Sequence, residues 1–333
     1  MLREERSRWP DRVENKNIPT FGEPRQRDDI AITFVNHATF LIQVNGIAIL
    51  TDPIWSERAS PVGWAGPKRV RDPGVAWEAL PRIDIVLLSH NHYDHLDITT
   101  LAKLRDRFDP IMLVAAGDGR IIEPLGIRQV HELDWWSSFA LNEQCKFTFV
   151  PAQHFSARSV FDRQKSLWGG YLIEVLGRRV YFSGDTGYSV HFADIRRRLG
   201  CPDIALLGIG SYEPQWFMKP VHMNPAEAVE AHRDLGAKHS IGMHFGTFQL
   251  SAEAIDQPVL DLARALKERG VPESAFVTLE VGETRTYRAA ELTRDAPSPD
   301  HAQTLSRNAF APHRPNGAAP ESPDRQRRPP QPL

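Results

Sequence analysis

The chain has 333 residues, 41% of them apolar and 25% charged, which suits one large α/β domain or two smaller ones with a buried core. A formal net charge of −2 and a pI near 6.7 give no global attraction to nucleic acid, so no nucleic-acid partner is expected. Two cysteines, Cys145 and Cys201, far apart in the chain, argue against a disulfide framework and against a cysteine metal site.

Residues 1–28 are polar and interrupted by Pro10, Pro19 and Pro24, which predicts a surface arm with partial order at best. The charged start has no apolar run of a secretory signal, and no run later is long enough to span a bilayer. The expected compartment is the cytoplasm, with peripheral membrane contact left open. Ile32–Val35, Phe40–Val44 and Ile47–Leu50 are β-rich. Asn45-Gly46, between the last two, signals a hairpin, because both central residues of a type I′ turn need positive φ. Ile83–Leu88 is nearly all apolar, as expected of a strand covered on both faces. A helix is expected over Thr99–Arg107, then strands at Ile111–Ala115, Lys146–Val150, Tyr171–Val175 and Val180–Ser183. Helical spacing returns at Phe192–Leu199, followed by a strand at Ile204–Ile209. The next helix runs from Asn224 to Leu235: Asn224 can cap it, Pro225 suits its first position, Glu227 completes a capping-box spacing and Gly236 ends it. A strand at His239–Met243, a helix at Val259–Arg269 and strands at Phe276–Leu279 and Arg285–Tyr287 complete a core over 29–290. Strands first, then strand–helix alternation, suit two packed sheets with helices outside. From 295 to 333 the Pro/Arg-rich composition has too few large apolar residues to offset ordering entropy, which predicts a disordered tail.

Candidate chemistry concentrates at strand ends. Ser89-His90-Asn91-His92-Tyr93-Asp94-His95-Leu96-Asp97 follows the buried strand, and a strand end holds side chains rigidly. One loop His is usually a surface or hydrogen-bonded residue. Four potential ligands within six residues exceed what one tetrahedral ion needs from one segment, so a dinuclear metal site is the natural reading. His154, Asp185 and His244 each fall just past another β-rich run, with small residues nearby. Any one of them alone could be a satisfied polar residue; together they repeat one geometry.

The His-x-His-x-Asp-His segment, the later His, the Gly-Asp and the final His resemble the metallo-β-lactamase superfamily in order and spacing. Within it the chain resembles the N-acyl-phosphatidylethanolamine phospholipase D group and, more distantly, the ascorbate-phosphate lactonase-like proteins. The matching segments include His37-Ala38-Thr39, Leu50-Thr51-Asp52-Pro53-Ile54, Gly66-Pro67-Lys68-Arg69, Asp134-Trp135-Trp136, Tyr212-Glu213-Pro214, Trp216-Phe217-Met218 and His244-Phe245-Gly246-Thr247-Phe248, of which Pro67-Lys68-Arg69, Asp134-Trp135-Trp136 and Trp216-Phe217-Met218 are the narrower signals. They span about residues 30 to 288. The resemblance implies an α/β (α+β) αββα sandwich, two packed mixed sheets with helices outside. It implies that His90, His92 and His154 hold one metal, that Asp94, His95 and His244 hold a second, and that Asp185 bridges them. Two zinc ions are expected, although manganese or iron would accept the same ligands. It also implies a homodimer.

The expected activity is metal-dependent hydrolysis by a hydroxide shared between two metals, most simply phospholipase D-type cleavage of N-acyl-phosphatidylethanolamine-like phosphodiesters. Asp94 or Asp185 would orient the nucleophile. His222, at a family position, would stabilise the phosphoryl oxygen or protonate the leaving group; a surface loop His before a capped helix is the plainer reading. Val221 stands where the family pattern has Gln, which bears on the head group. Tyr188 is a candidate for the pocket lining. Trp135, Trp136, Trp216, Phe217 and Met218 are candidates for an apolar wall against acyl chains. The alternatives are a lactonase or another hydrolase acting on a small soluble substrate, and a metal-dependent binding protein without turnover.

Overall fold

Asn45 and Gly46 take φ values of 51° and 74°, the left-handed pair that the tight turn requires. They join β2 (Thr39–Val44) to β3 (Ile47–Thr51), and β1 (Ile30–Asn36) lies antiparallel on the other side of β2. The computed structural model describes residues 6–19, 21 and 28–292; the tail expected from 295 onward lies outside the described residues. After a long connection β4 (Ile85–Leu87) pairs parallel with β3. A parallel neighbour needs a crossover, and α1 (Ile98–Phe108) supplies one before β5 (Ile111–Ala115). The short α2 (Gly119–Ile122) leads to β6 (Val130–Leu133), parallel to β5.

The second half repeats this plan. β7 (Ser138–Asn142), β8 (Cys145–Pro151), β9 (Gly169–Val175) and β10 (Arg178–Phe182) form an antiparallel meander. Then α3 (His191–Leu199), β11 (Ile204–Gly208), α4 (Gln215–Met218), α5 (Pro225–Leu235), β12 (His239–Met243), α6 (Gln257–Arg269) and β13 (Phe276–Val277) add three parallel pairings. β14 (Thr284–Tyr287) returns to the first sheet beside β1. The orders are β14-β1-β2-β3-β4-β5-β6 and β13-β12-β11-β10-β9-β8-β7.

Strand alternation builds the layers. On β4, Ile85 and Leu87 face the core between the sheets with Phe34, Phe40, Phe147, Phe149 and Phe182, while Val86 packs with Leu101 and Leu104 of α1 on the outer face. On the other sheet Leu172, Tyr181 and Leu207 meet Ile195, Val229 and Leu266 of α3, α5 and α6. The result is an αββα sandwich of two mixed sheets. α5 carries the expected capping box: Asn224 Oδ1 accepts from Glu227 N at 2.9 Å, and Glu227 Oε2 accepts from Asn224 N at 3.2 Å.

Two strands escaped the sequence pattern. β6 and β7 are mostly exposed or half-buried; β7 turns Phe139 and Leu141 toward the core, but over five residues that alternation is too short to stand out. The arm also differs from expectation where it is described. Trp9 is buried and its Nε1 donates to Glu253 O at 2.8 Å; Ser7 N donates to Ala252 O and Val13 N to Val70 O. One buried indole with a satisfied N–H outweighs the polar composition around it. Among the described residues no helix is long and apolar enough to cross a membrane.

Candidate metal centre

The site forms where strands of both sheets end. Ser89 follows β4 and starts the loop with His90, His92, Asp94 and His95; His154 follows β8, Asp185 follows β10, and His244 follows β12. The backbone is shaped for this convergence. His37, Asp52 and His244 adopt φ of 47°, 33° and 64°, conformations that non-glycine residues keep only where surrounding contacts over-determine them. Gly184, at φ 57°, has no room for a Cβ, which would sit 2.6 Å from both Gly169 O and Ser89 Cβ.

The structure brings all seven sequence-predicted ligands together, and His222 with them. His92 Nδ1 lies 2.9 Å from His90 Nε2 and 3.2 Å from His154 Nε2. His95 Nε2 lies 3.2 Å from His244 Nε2 and 3.3 Å from Asp94 Oδ2. Asp185 stands between the two groups: its Oδ2 is 3.1 Å from His95 Nε2, 3.9 Å from His90 Nε2 and 3.8 Å from His154 Nε2, and its Oδ1 is 3.2 Å from His244 Nε2. Ligands held 2.0–2.1 Å from one tetrahedral ion stand about 3.3 Å apart, so these spacings suit shared cations. Asp185 Oδ1 is buried without a hydrogen-bond partner, as a lone pair reserved for an ion would be.

The outer hydrogen bonds fix which nitrogen faces inward. His95 Nδ1 donates to Asp52 Oδ2 at 2.6 Å, and His154 Nδ1 donates to Val221 O at 2.9 Å. His90 Nδ1 donates to Ser89 Oγ at 2.9 Å, and Ser89 Oγ donates to Asp52 Oδ2 at 2.6 Å. Each leaves the imidazole Nε2 lone pair aimed at the centre, the arrangement that metal-binding histidines use. Val221 keeps this contact through its carbonyl, so the departure from Gln does not disturb His154. Asp52 and His37 were missed as site residues. His37 Nε2 donates to Asp94 Oδ2 at 2.9 Å. Only their motif context marked them, since their partners lie about 40 or more positions away in sequence.

The electrostatics ask for positive charge. Burial opposes ionisation of Asp94 and Asp185, but His95 for the former and His244 for the latter lead the groups that hold both well below the usual carboxylate range. Burial also opposes charge on His95 and His244, yet Asp185, followed by Asp94, raises His95 well above its ordinary value and His244 to about 9. His90 and His154 are pushed well down, chiefly by burial, and stay neutral donors. Protons on two imidazoles thus balance two buried carboxylates, a balance that metal cations would meet directly. Ligand atoms of His90, His92, His154 and Asp185, and separately of His37, Asp94, His95 and His244, cluster within 4.8 Å.

His222 Nδ1 is 3.9 Å from Asp185 Oδ2, and burial lowers its pKa to about 4. Its loop lies over His154 and follows α4. The Tyr188 hydroxyl donates to Asp234 Oδ2 at 2.6 Å and its ring stacks on Phe192. The aromatic wall divides. Trp135 and Trp136 are half-buried, with Trp135 Nε1 donating to Trp168 O and Arg198 lying over Trp136. Trp216 and Phe217 are 76% and 62% exposed and touch each other edge to face. No ring contact joins the two pairs among the described residues.

A β-lactamase superfamily domain model matches residues 48–245. The chain is 39% identical over 263 residues to N-acyl-phosphatidylethanolamine-hydrolyzing phospholipase D 1 of Caenorhabditis elegans, covering 75% of this chain and 74% of that one. It is 34% identical over 284 residues to the mitochondrial N-acyl-phosphatidylethanolamine-hydrolyzing phospholipase D of Saccharomyces cerevisiae, covering 83% of this chain but 60% of the yeast protein. The metallo hydrolase Igni18 of Ignicoccus hospitalis superposes with a TM-score of 0.59 at 21% identity, covering 78% of this chain and 99% of that one, which bears on the fold alone. The chain belongs to the metallo-β-lactamase superfamily and is a metal-dependent hydrolase of that fold.

Proposed function

We propose that the protein hydrolyses the phosphodiester of N-acylated phosphatidylethanolamine-like lipids in the manner of a phospholipase D. The observation that carries this reading is the dinuclear-type donor set together with 39% identity to a worm enzyme named for that reaction. His90, His92 and His154 would hold one ion, Asp94, His95 and His244 the other, with Asp185 shared. Zinc suits this set, and manganese or iron would be accepted. Two ions held there supply a water acidified toward neutral pH and positive charge facing the phosphoryl oxygens.

The chain's own groups do the rest. Asp185, whose Oδ2 lies between His95 and the His90/His154 pair, orients the attacking water together with Asp94. His222 is neutral near pH 7, so its N–H serves as a donor to a phosphoryl oxygen, a role that fits better than acid catalysis by a group with a pKa of about 4. Water adds to phosphorus as the bond to the N-acylethanolamine oxygen breaks, and one proton of that water ends on the departing oxygen, so N-acylethanolamine and phosphatidic acid are released. The exposed Trp216 and Phe217 on α4, just before His222, support peripheral contact with a lipid surface from the cytoplasm.

The test is metal content of the purified protein, followed by phosphatidic acid release from N-acyl-phosphatidylethanolamine vesicles with and without chelator. About two metals per chain and chelator-sensitive release are expected. Two metals without lipid turnover would move the substrate to lactones or other small esters. Failure to bind metal, even after reconstitution with zinc or manganese, would overturn the mechanism.

A further inference from the structure

A pocket of about 250 Å³, lined by none of the candidate ligands, opens where β1, the segment after β12, the start of α6 and residues 278–281 meet. Its floor is apolar: Phe34, Leu279 and Val281 belong to the core between the sheets, and Phe245 stacks on Phe34 at 5.7 Å. Val259 of α6 forms another wall. Phe34, Leu279 and Val281 are almost fully covered, so the apolar surface the pocket presents is that of the half-buried Phe245, Ile255 and Val259, which favours an apolar guest.

Arg71 also lines this pocket, and its guanidinium is the odd group there. It is half-buried, its Nε is buried without a hydrogen-bond partner, and it makes no ion pair among the described residues. Burial holds its pKa below the ordinary value, with only the charge of Glu280 acting in the other direction. Two carboxylates share the lining, Glu280 and Asp256; both residues are exposed, where hydration and salt weaken their pull, and neither bonds to Arg71. A buried donor left without a partner is costly, and a guanidinium presents a fork that matches a carboxylate.

We propose that this pocket binds an amphipathic carboxylate, a short- or medium-chain fatty acid, with its head group on Arg71 and its chain against Phe245, Ile255 and Val259. The site is independent of the lipid-hydrolase reading, since it needs neither metal nor turnover. Phe245 directly follows His244, so the occupant sits beside the metal-site backbone without using any candidate ligand. Binding and metal content can therefore be measured separately.

The experiment is calorimetric titration of the metal-loaded full chain with octanoate, and with acetate and 1-octanol, each of which lacks one half of the recognition. Octanoate should bind saturably at one per chain, and acetate and 1-octanol at least about tenfold more weakly. Arg71→Gln should weaken octanoate roughly tenfold or more, and Val259→Trp, which fills the pocket, should do the same, both with unchanged metal content. Arg71 makes no hydrogen bond through Nε, so the first variant has little reason to misfold; the second tests the same cavity from another element. Octanoate that does not bind, or that binds Arg71→Gln as tightly as the wild type, overturns the proposal. Binding that disappears on metal removal places the carboxylate at the metal centre and overturns it too.

Discussion

Replacing Asp52 with Asn tests the metal centre through a residue that need not touch an ion. Asp52 is fully buried. Its Oδ1 accepts from Ser89 N at 2.8 Å, and its Oδ2 accepts from Ser89 Oγ and from His95 Nδ1, both at 2.6 Å. In Asp52→Asn the carbonyl oxygen keeps Ser89 N, and the amide NH2 then faces two donors. His95 relieves the clash by moving its proton to Nε2, which removes the lone pair aimed toward Asp185 and His244. Loss of such an outer partner weakens metal binding by about 10–100-fold, equivalent to roughly 1.4–2.7 kcal/mol. The Asp94/His95/His244 group should lose most. His90 should lose less, because Asp52 reaches it only through Ser89. The metal-free protein should lose stability too, because the amide leaves Ser89 Oγ and His95 Nδ1 facing a donor where a buried carboxylate had accepted from both. The assay is competition of apo-protein against a metal-binding indicator dye, with thermal unfolding of the apo and loaded forms alongside. Two sites as tight as wild type in a folded Asp52→Asn would refute the reasoning.

Three further changes probe other parts of the argument. His222→Ala should lower kcat by about 10²–10³-fold with metal content unchanged, as removal of one preorganised donor does, and equal loss of metal would reassign it to the ligand set. Asn224→Ala removes the α5 cap and should cost about 1 kcal/mol in urea unfolding; no change would mean that packing alone sets that helix end. His232, buried on Ser240 Oγ and away from the metal centre, has its pKa lowered to about 4, chiefly by burial, below the ordinary 6.5. A depressed base stabilises the fold fully above the unfolded pKa, and that stability is lost as pH falls through about 4. The advantage of wild type over His232→Gln should therefore shrink by an upper limit of about 3 kcal/mol between pH 7 and pH 4. Parallel unfolding curves across that range would exclude the effect.

Much of this protein follows from local pattern. The Asn45-Gly46 turn, the Asn224 capping box and the runs that became β5 and β12 are fixed by neighbours within a few positions, so their residues announce them. The same holds for the convergence of the seven candidate ligands: each lies just past a buried apolar run, and strand ends of both sheets meet there. Tertiary structure alone decided what long-range contact creates. Asp52 reaches His95 and Ser89, and His37 reaches Asp94, across folds of the chain that no periodicity encodes. β6 and β7 sit at the sheet edges where little apolar area is buried, so their sequence carries a weak strand signal. The Arg71 pocket belongs to the same class: each residue lining it reads as ordinary core or surface, and only the meeting of five distant segments leaves the Arg71 Nε without a hydrogen-bond partner among the described residues, beside an apolar lining.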